Sequence, residues 1–144
     1  MTVLKRLLVA RVLLLAGLGV GLLSWRESIG HIGNADFLVP SYPLGPTHSW
    51  YHVFREVCGD VAKMAVLLLI FFRPPRWRNG FTCAIALILM PGYYAPFWIG
   101  EPFLPALSAP NWMVATVHVA MATLAFLALA VAHPDFNANA VVAR

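Results

Sequence analysis

Apolar residues dominate four long stretches of the chain, and shorter segments rich in proline, glycine or charge separate them. The stretches cover about residues 7–25, 53–72, 81–99 and 112–132. A helix of about 20 residues spans the roughly 30 Å hydrocarbon layer of a bilayer. Because lipid cannot satisfy backbone hydrogen bonds, each stretch is expected to be helical. The pattern predicts an all-α fold, namely an integral membrane four-helix bundle that forms one domain over residues 1–144.

The composition agrees with this pattern and excludes several classes of protein. Hydrophobic residues make up 60% of the 144 residues and charged residues 11%, whereas soluble domains have roughly 45–50% and about 25%. The mean hydropathy is +0.75. Such a chain is not expected to be a disordered protein, a coiled coil or an ordinary soluble enzyme. The lipid bilayer is therefore the first expected partner.

Lysine and arginine residues are unevenly distributed, and their positions predict the orientation. Seven of the ten basic residues would share one side if both termini were cytoplasmic, as the positive-inside rule requires. These seven are Lys5, Arg6, Arg11, Arg73, Arg76, Arg78 and Arg144. We therefore expect an N-in/C-in, multi-pass protein of the plasma membrane, the cell inner membrane of a bacterium. The net charge of +4 then reflects this bias, and no nucleic-acid partner is expected.

The first apolar stretch has a basic start, a feature that a cleaved signal peptide would share. No convincing small-x-small cleavage site precedes Trp25, so a retained span is expected. Gly17 and Gly21 have the small-x-x-x-small spacing that lets two membrane helices approach closely. This face predicts a packed helix and is a candidate surface for a homo- or hetero-oligomer.

The connections and helix ends carry further signals. The first outer loop, residues 26–46, is long and contains Phe37 and Tyr42, so we expect it to fold over the outer end of the bundle. Asn111 is predicted to cap the fourth helix. His133 and Pro134 are predicted to end it, because proline cannot continue a helix and disfavours helical geometry before it.

A polar stripe runs along the second stretch. His48, His52, Glu56 and Asp60 recur every four residues, and Lys63 follows three residues later. On a helix these side chains share one slowly drifting face. Lys63 would lie about 15 Å below Val53, near the middle of the bilayer. A charge there costs a few kcal/mol at least, so Lys63 is expected to pair with Asp60.

His118 in the fourth stretch lies at a depth close to that of Glu56 and Asp60, about 9 Å below Trp112. A carboxylate and an imidazole at matched depth suit proton transfer. The predicted catalytic residues are thus Glu56 or Asp60 as acid or base, His118 as proton partner, and Lys63, which keeps the carboxylate charged. The predicted ligand-binding residues are His52 at the mouth, Tyr93, Tyr94 and Trp98.

Acid–base chemistry of this kind suits a small hydrophobic or lipid-like molecule, such as an isoprenoid or sterol that is isomerised or cyclised. His52-x-x-x-Glu56 in a second membrane helix resembles a feature of the EXPERA sterol-isomerase family. The resemblance covers these two residues, and no residue role is taken from it. No cofactor is predicted.

Three other interpretations stay open at this point. The stripe can be a structural lock in an accessory or assembly subunit of a larger membrane complex. It can pass protons or bind ions from the outer side. His48, His52 and Glu56 also have a spacing that suits a metal or haem site, although no metal is predicted. The two cysteines, Cys58 and Cys83, are expected to lie too far apart to form a disulfide.

Overall fold

The structure is a computed structural model that describes residues 2–43, 45–94, 100, 103, 109 and 111–142, with the backbone alone for Tyr93 and residues 137–142. Its four α-helices are α1 (Val3–Gly30), α2 (His48–Phe72), α3 (Gly80–Tyr94) and α4 (Trp112–Val142). Short 3-10 turns lie at Ala35–Phe37 and Pro75–Trp77. The described residues contain no strand. The all-α fold with four helices is thus confirmed.

Two helices are long and apolar enough to cross a membrane. They are Val3–Gly30 and the part of α4 over Trp112–Phe136. The apolar part of α3, Gly80–Gly92, is shorter, and residues 95–99 of the predicted third span lie outside the described residues. α2 has the length of a span but carries the charged stripe. By length and composition, two candidate membrane segments are found, and the four-span topology stays a prediction.

The helices α1 and α4 form a close antiparallel pair at the centre of the fold. A Cβ atom added to Gly17 would lie 3.0 Å from the carbonyl oxygen of Met121, and one added to Gly21 would lie 3.5 Å from the Met121 sulfur. Ala125 of α4 also lies opposite Gly17, in a helix with four buried alanines: Ala122, Ala125, Ala128 and Ala132. Small residues allow this approach. The predicted small-residue face is therefore covered by α4 of the same chain, and its use in an oligomer stays a prediction.

The other two helices pack at the sides of this pair, α2 against α1 and α3, and α3 also against α4. We name the end of the bundle with Arg6, Arg73 and Arg78 the basic end, and the opposite end, with residues 31–47, the loop end. Large apolar side chains fill the space between the helices: Leu14, Leu67, Phe71, Met90, Met121 and Phe136. They form one continuous core.

The fourth helix does not end where the sequence predicts. Asn111 caps its start as expected, because the backbone N–H of Val114 donates to Asn111 Oδ1 at 3.0 Å. However, α4 continues through Pro134 to Val142, so the predicted end at His133 and Pro134 is wrong. Tertiary contacts of the next residue hold the extension in place, since Asp135 pairs with Arg6 of α1 at 2.7 Å.

The first connection packs against the start of α2. α1 continues beyond Trp25 to Gly30, so the connection is shorter than predicted. The indole N–H of Trp50 donates to the carbonyl oxygen of Asn34 at 3.2 Å, and the Ser49 hydroxyl donates to the carbonyl oxygen of Phe37. Gly33 has a φ of 85°, a left-handed conformation that glycine adopts without a Cβ clash.

Candidate functional site

A cavity of about 590 Å³ lies at the loop end, between the last turns of α1, the first half of α2 and the start of α4. Its polar lining includes Ser24, Glu27, His31, Glu56, Asp60 and His118. Arg26, Ser28 and Asn111 also line it, and apolar side chains such as Leu23, Val114 and Val117 form part of the wall. Three of the four predicted catalytic residues therefore face one space, although they come from two helices that are far apart in sequence.

The fourth predicted catalytic residue, Lys63, does not line the cavity but forms an ion pair with Asp60, which does. Lys63 Nζ donates to Asp60 Oδ1 at 3.0 Å, which is the contact that the spacing of the stripe predicts. The Asp60 residue is only 7% exposed, whereas the Lys63 side chain is 36% exposed. Burial of a carboxylate is costly without a compensating cation. Lys63 thus stabilises the negative charge of Asp60 at the cavity wall.

His118 has a hydrogen-bond partner that the sequence analysis did not identify. His118 is 7% exposed, and its Nε2 lies 3.0 Å from the hydroxyl oxygen of Ser24 on α1. This bond fixes the orientation of the imidazole ring toward the cavity. Ser24 is 94 positions away in sequence, and only the antiparallel register of α1 on α4 brings the two together. Its one sequence signal is a hydroxyl near the end of an apolar stretch.

Glu56 and His52 lie on the exposed part of the polar stripe. Glu56 borders the cavity, while His52 does not. The Nε2 atoms of His48 and His52 are 2.7 Å apart, and Arg55 lies 3.2 Å from His52 Nδ1. In the described part of the chain, no group of three or more His, Cys, Asp or Glu side chains is arranged to hold a metal ion. The histidines of the stripe therefore contact one another at the helix surface.

Of the three aromatic residues predicted to bind a ligand, Tyr94 does not line this cavity. Tyr94 is 1% exposed, and the centre of its ring lies 6.0 Å from that of Phe126. The side chain of Tyr93 and the whole of Trp98 lie outside the described residues.

A different aromatic residue, Trp25, does line the cavity. The sequence pattern places Trp25 at the end of the first apolar stretch and predicts no role for it in the site. Its indole N–H is buried and has no hydrogen-bond partner among the described residues. A buried donor of this kind is costly to leave unsatisfied, so Trp25 is available to an acceptor atom of a bound molecule.

The arrangement supplies proton donors and acceptors within a space that has apolar walls. Three carboxylates, two imidazoles, two hydroxyls and the guanidinium-bearing Arg26 line the cavity, and general acid–base catalysis needs proton donors and acceptors within reach of one substrate. Ligand cavities commonly combine an apolar wall with a few polar groups. Comparisons of the chain with models of protein families, with curated proteins and with solved structures find no match.

Proposed function

We propose that this chain is a small multi-pass protein of the plasma membrane whose cavity binds or transforms a small hydrophobic or lipid-like molecule by acid–base chemistry. The observation that carries the proposal is the cavity of about 590 Å³. Carboxylates of α2 and the imidazole of α4 meet there beside apolar walls. A polar set inside an otherwise apolar helix bundle is expected to serve a function.

The surface of the bundle supports a location in lipid. Large apolar side chains are exposed on every helix, for example Leu8, Val12, Phe54, Val61, Phe81, Ile88, Val119 and Leu127. Soluble monomers rarely expose extensive apolar surface. The basic residues at one end favour a topology with four spans and both termini in the cytoplasm. In that topology the cavity lies in the outer half of the membrane.

The proposed chemistry is a proton transfer within the cavity. Moving a carbon–carbon double bond requires one proton to leave a carbon atom and another to be added elsewhere, with no further reactant. Glu56 or Asp60 would accept or deliver the proton, and His118 would complete the transfer. Ser24 would orient the imidazole through its hydrogen bond, and Lys63 would keep Asp60 charged.

Native mass spectrometry of the protein, extracted from its own membrane in mild detergent, tests the binding step. We expect a retained organic mass in the wild type, reduced about tenfold or more in Asp60→Asn and in His118→Ala, a loss worth roughly 1.4 kcal/mol of binding. Asp36→Asn and His133→Ala are matched controls, because both residues are exposed and neither lines the cavity. Equal retention in all five proteins would contradict the proposal.

A second measurement tests the chemistry separately from binding. Once the retained molecule is identified, the wild-type protein in D2O should transfer deuterium to one carbon position of that molecule. Glu56→Gln or Asp60→Asn should slow this exchange by about 10²-fold or more, as expected for loss of a general base. A stoichiometric protein partner in place of an organic mass would instead support the accessory-subunit interpretation.

A further inference from the structure

A second site lies at the basic end, away from the cavity. A groove of about 430 Å³ runs along the surface of α2 toward its C-terminus. Its walls are apolar and consist of Ala65, Leu68, Leu69 and Phe72, while Arg73 lines its end. The groove therefore places an apolar helix face next to a cationic side chain.

A second guanidinium lies over the wall of this groove. The Arg11 guanidinium of α1 is 5.1 Å from the centre of the Phe72 ring, and Arg11 Nε donates to the carbonyl oxygen of Phe71 at 3.0 Å. A third arginine fixes the backbone beside them, because Arg78 Nη1 donates to the carbonyl oxygen of Arg73 at 2.6 Å. Arg78 is only 2% exposed, so this part of the cluster is held rigidly.

Positive charge exceeds negative charge at this end. Among the described residues of the basic end, Asp135 is the one carboxylate, and its Oδ1 binds Arg6 at 2.7 Å. Burial lowers the pKa of Arg78, and the charge of nearby Arg11 lowers it further. The Arg11 and Arg78 guanidiniums repel each other, the charge of Asp135 offsets part of this effect on Arg78, and an added anion would relieve the rest.

We propose that the basic end binds a phospholipid with a net negative headgroup. One acyl chain would lie in the groove, and the phosphate would lie between Arg73 and Arg11. Guanidinium groups bind phosphate strongly because their N–H donors match its oxygen atoms. The proposal rests on the membrane location proposed above, but it is independent of any ligand or chemistry in the cavity.

Lipid titration of the full chain in detergent, followed by native mass spectrometry, tests this site. We expect phosphatidylglycerol to bind about tenfold more tightly than phosphatidylcholine with the same acyl chains. Arg73→Gln should weaken phosphatidylglycerol binding roughly fivefold, as expected for one basic residue near a lipid headgroup. Arg76→Gln is the matched control, because this neighbouring arginine is exposed and does not line the groove.

Two further measurements, on a groove-filling variant and on competition by inorganic phosphate, distinguish a lipid site from a simple anion site. Ala65→Trp should fill the groove and weaken phosphatidylglycerol binding while all arginines remain. Inorganic phosphate should compete poorly, because it lacks an acyl chain. Equal binding of the two lipids, equal effects of the Arg73 and Arg76 variants, or full displacement by phosphate would each overturn the proposal. If Arg73→Gln lowers the unfolding temperature, Arg73→Lys serves instead and should also weaken phosphatidylglycerol binding, because an ammonium group lacks the paired N–H donors of a guanidinium. Unchanged binding in this variant would overturn the proposal.

Discussion

At the scale of single residues, Gly17 sets the distance between the two central helices. A Cβ atom at this position would lie 3.0 Å from the Met121 carbonyl oxygen and 3.2 Å from the Leu124 Cβ atom. Neither atom can move without a shift of α4, because one is backbone and the other is attached directly to it. We therefore expect Gly17→Ala to lower the free energy of unfolding in detergent by about 1–3 kcal/mol.

Gly19 provides the matched control on the same helix. A Cβ atom there would meet nothing within 4 Å, so Gly19→Ala should leave stability unchanged or raise it by up to about 1 kcal/mol through helix propensity. Denaturant unfolding followed by circular dichroism measures both variants. Equal stability of the two variants would contradict the close approach of α1 and α4.

Local spacing predicts one part of the candidate site but not another. The contact between Asp60 and Lys63 joins residues three positions apart on one helix, so it follows from the geometry of any helix. The contact between Ser24 and His118 depends on how α1 slides along α4. Sequence spacing contains no information on that register. It predicts only that His118 lies at about the same depth in the membrane as the carboxylates.

At the scale of helices, the continuation of α4 beyond Pro134 depends on contacts with α1 and α2. Proline inside a helix costs about 3 kcal/mol or more, and local sequence therefore predicts an end at this position. The ion pair of Asp135 with Arg6 and the packing of Phe136 against Phe71 at 6.2 Å oppose that cost. Each contact joins different helices, so neither contact can be predicted from the local sequence.

We expect the ion pair of Arg6 and Asp135 to hold the last turns of α4 in place. Asp135→Asn and Arg6→Gln should each lower the thermal unfolding temperature, because each leaves the opposite charge without this contact. The double variant should be more stable than the sum of the two losses predicts, because each single variant already loses the same contact between Arg6 and Asp135. Thermal unfolding in detergent measures all three.

Lys5→Gln is the control for a general effect of charge at the N-terminus. Lys5 is exposed and adjacent to Arg6, so its loss should leave the unfolding temperature nearly unchanged. The ion pair does not stabilise the extension of α4 if the decreases in unfolding temperature of Arg6→Gln and Asp135→Asn simply add in the double variant. The same conclusion follows if Lys5→Gln lowers the unfolding temperature by a similar amount.

At the scale of the whole molecule, two topologies are compatible with the lengths of the helices. If α1 and α4 alone crossed the membrane, the connection between α2 and α3 would share a side with the loop end, and the end of α2 would have to leave its contacts with Arg11 and Phe136. If all four helices cross, these two regions lie on opposite sides. Ser41 and Arg76, which are exposed in the first and second connections, therefore lie on one side of the membrane in the first topology and on opposite sides in the second.

Cysteine accessibility in intact cells distinguishes the two topologies. In a chain with Cys58→Ser and Cys83→Ser, we expect a membrane-impermeant maleimide to label Ser41→Cys directly but Arg76→Cys only after permeabilisation, because the arginine-rich connection is expected in the cytoplasm. Labelling of both positions in intact cells would mean that only α1 and α4 cross. The polar stripe of α2 would then lie in water, where its charges need no membrane function. Labelling of Arg76→Cys alone would invert the proposed orientation and place the cavity on the cytoplasmic side.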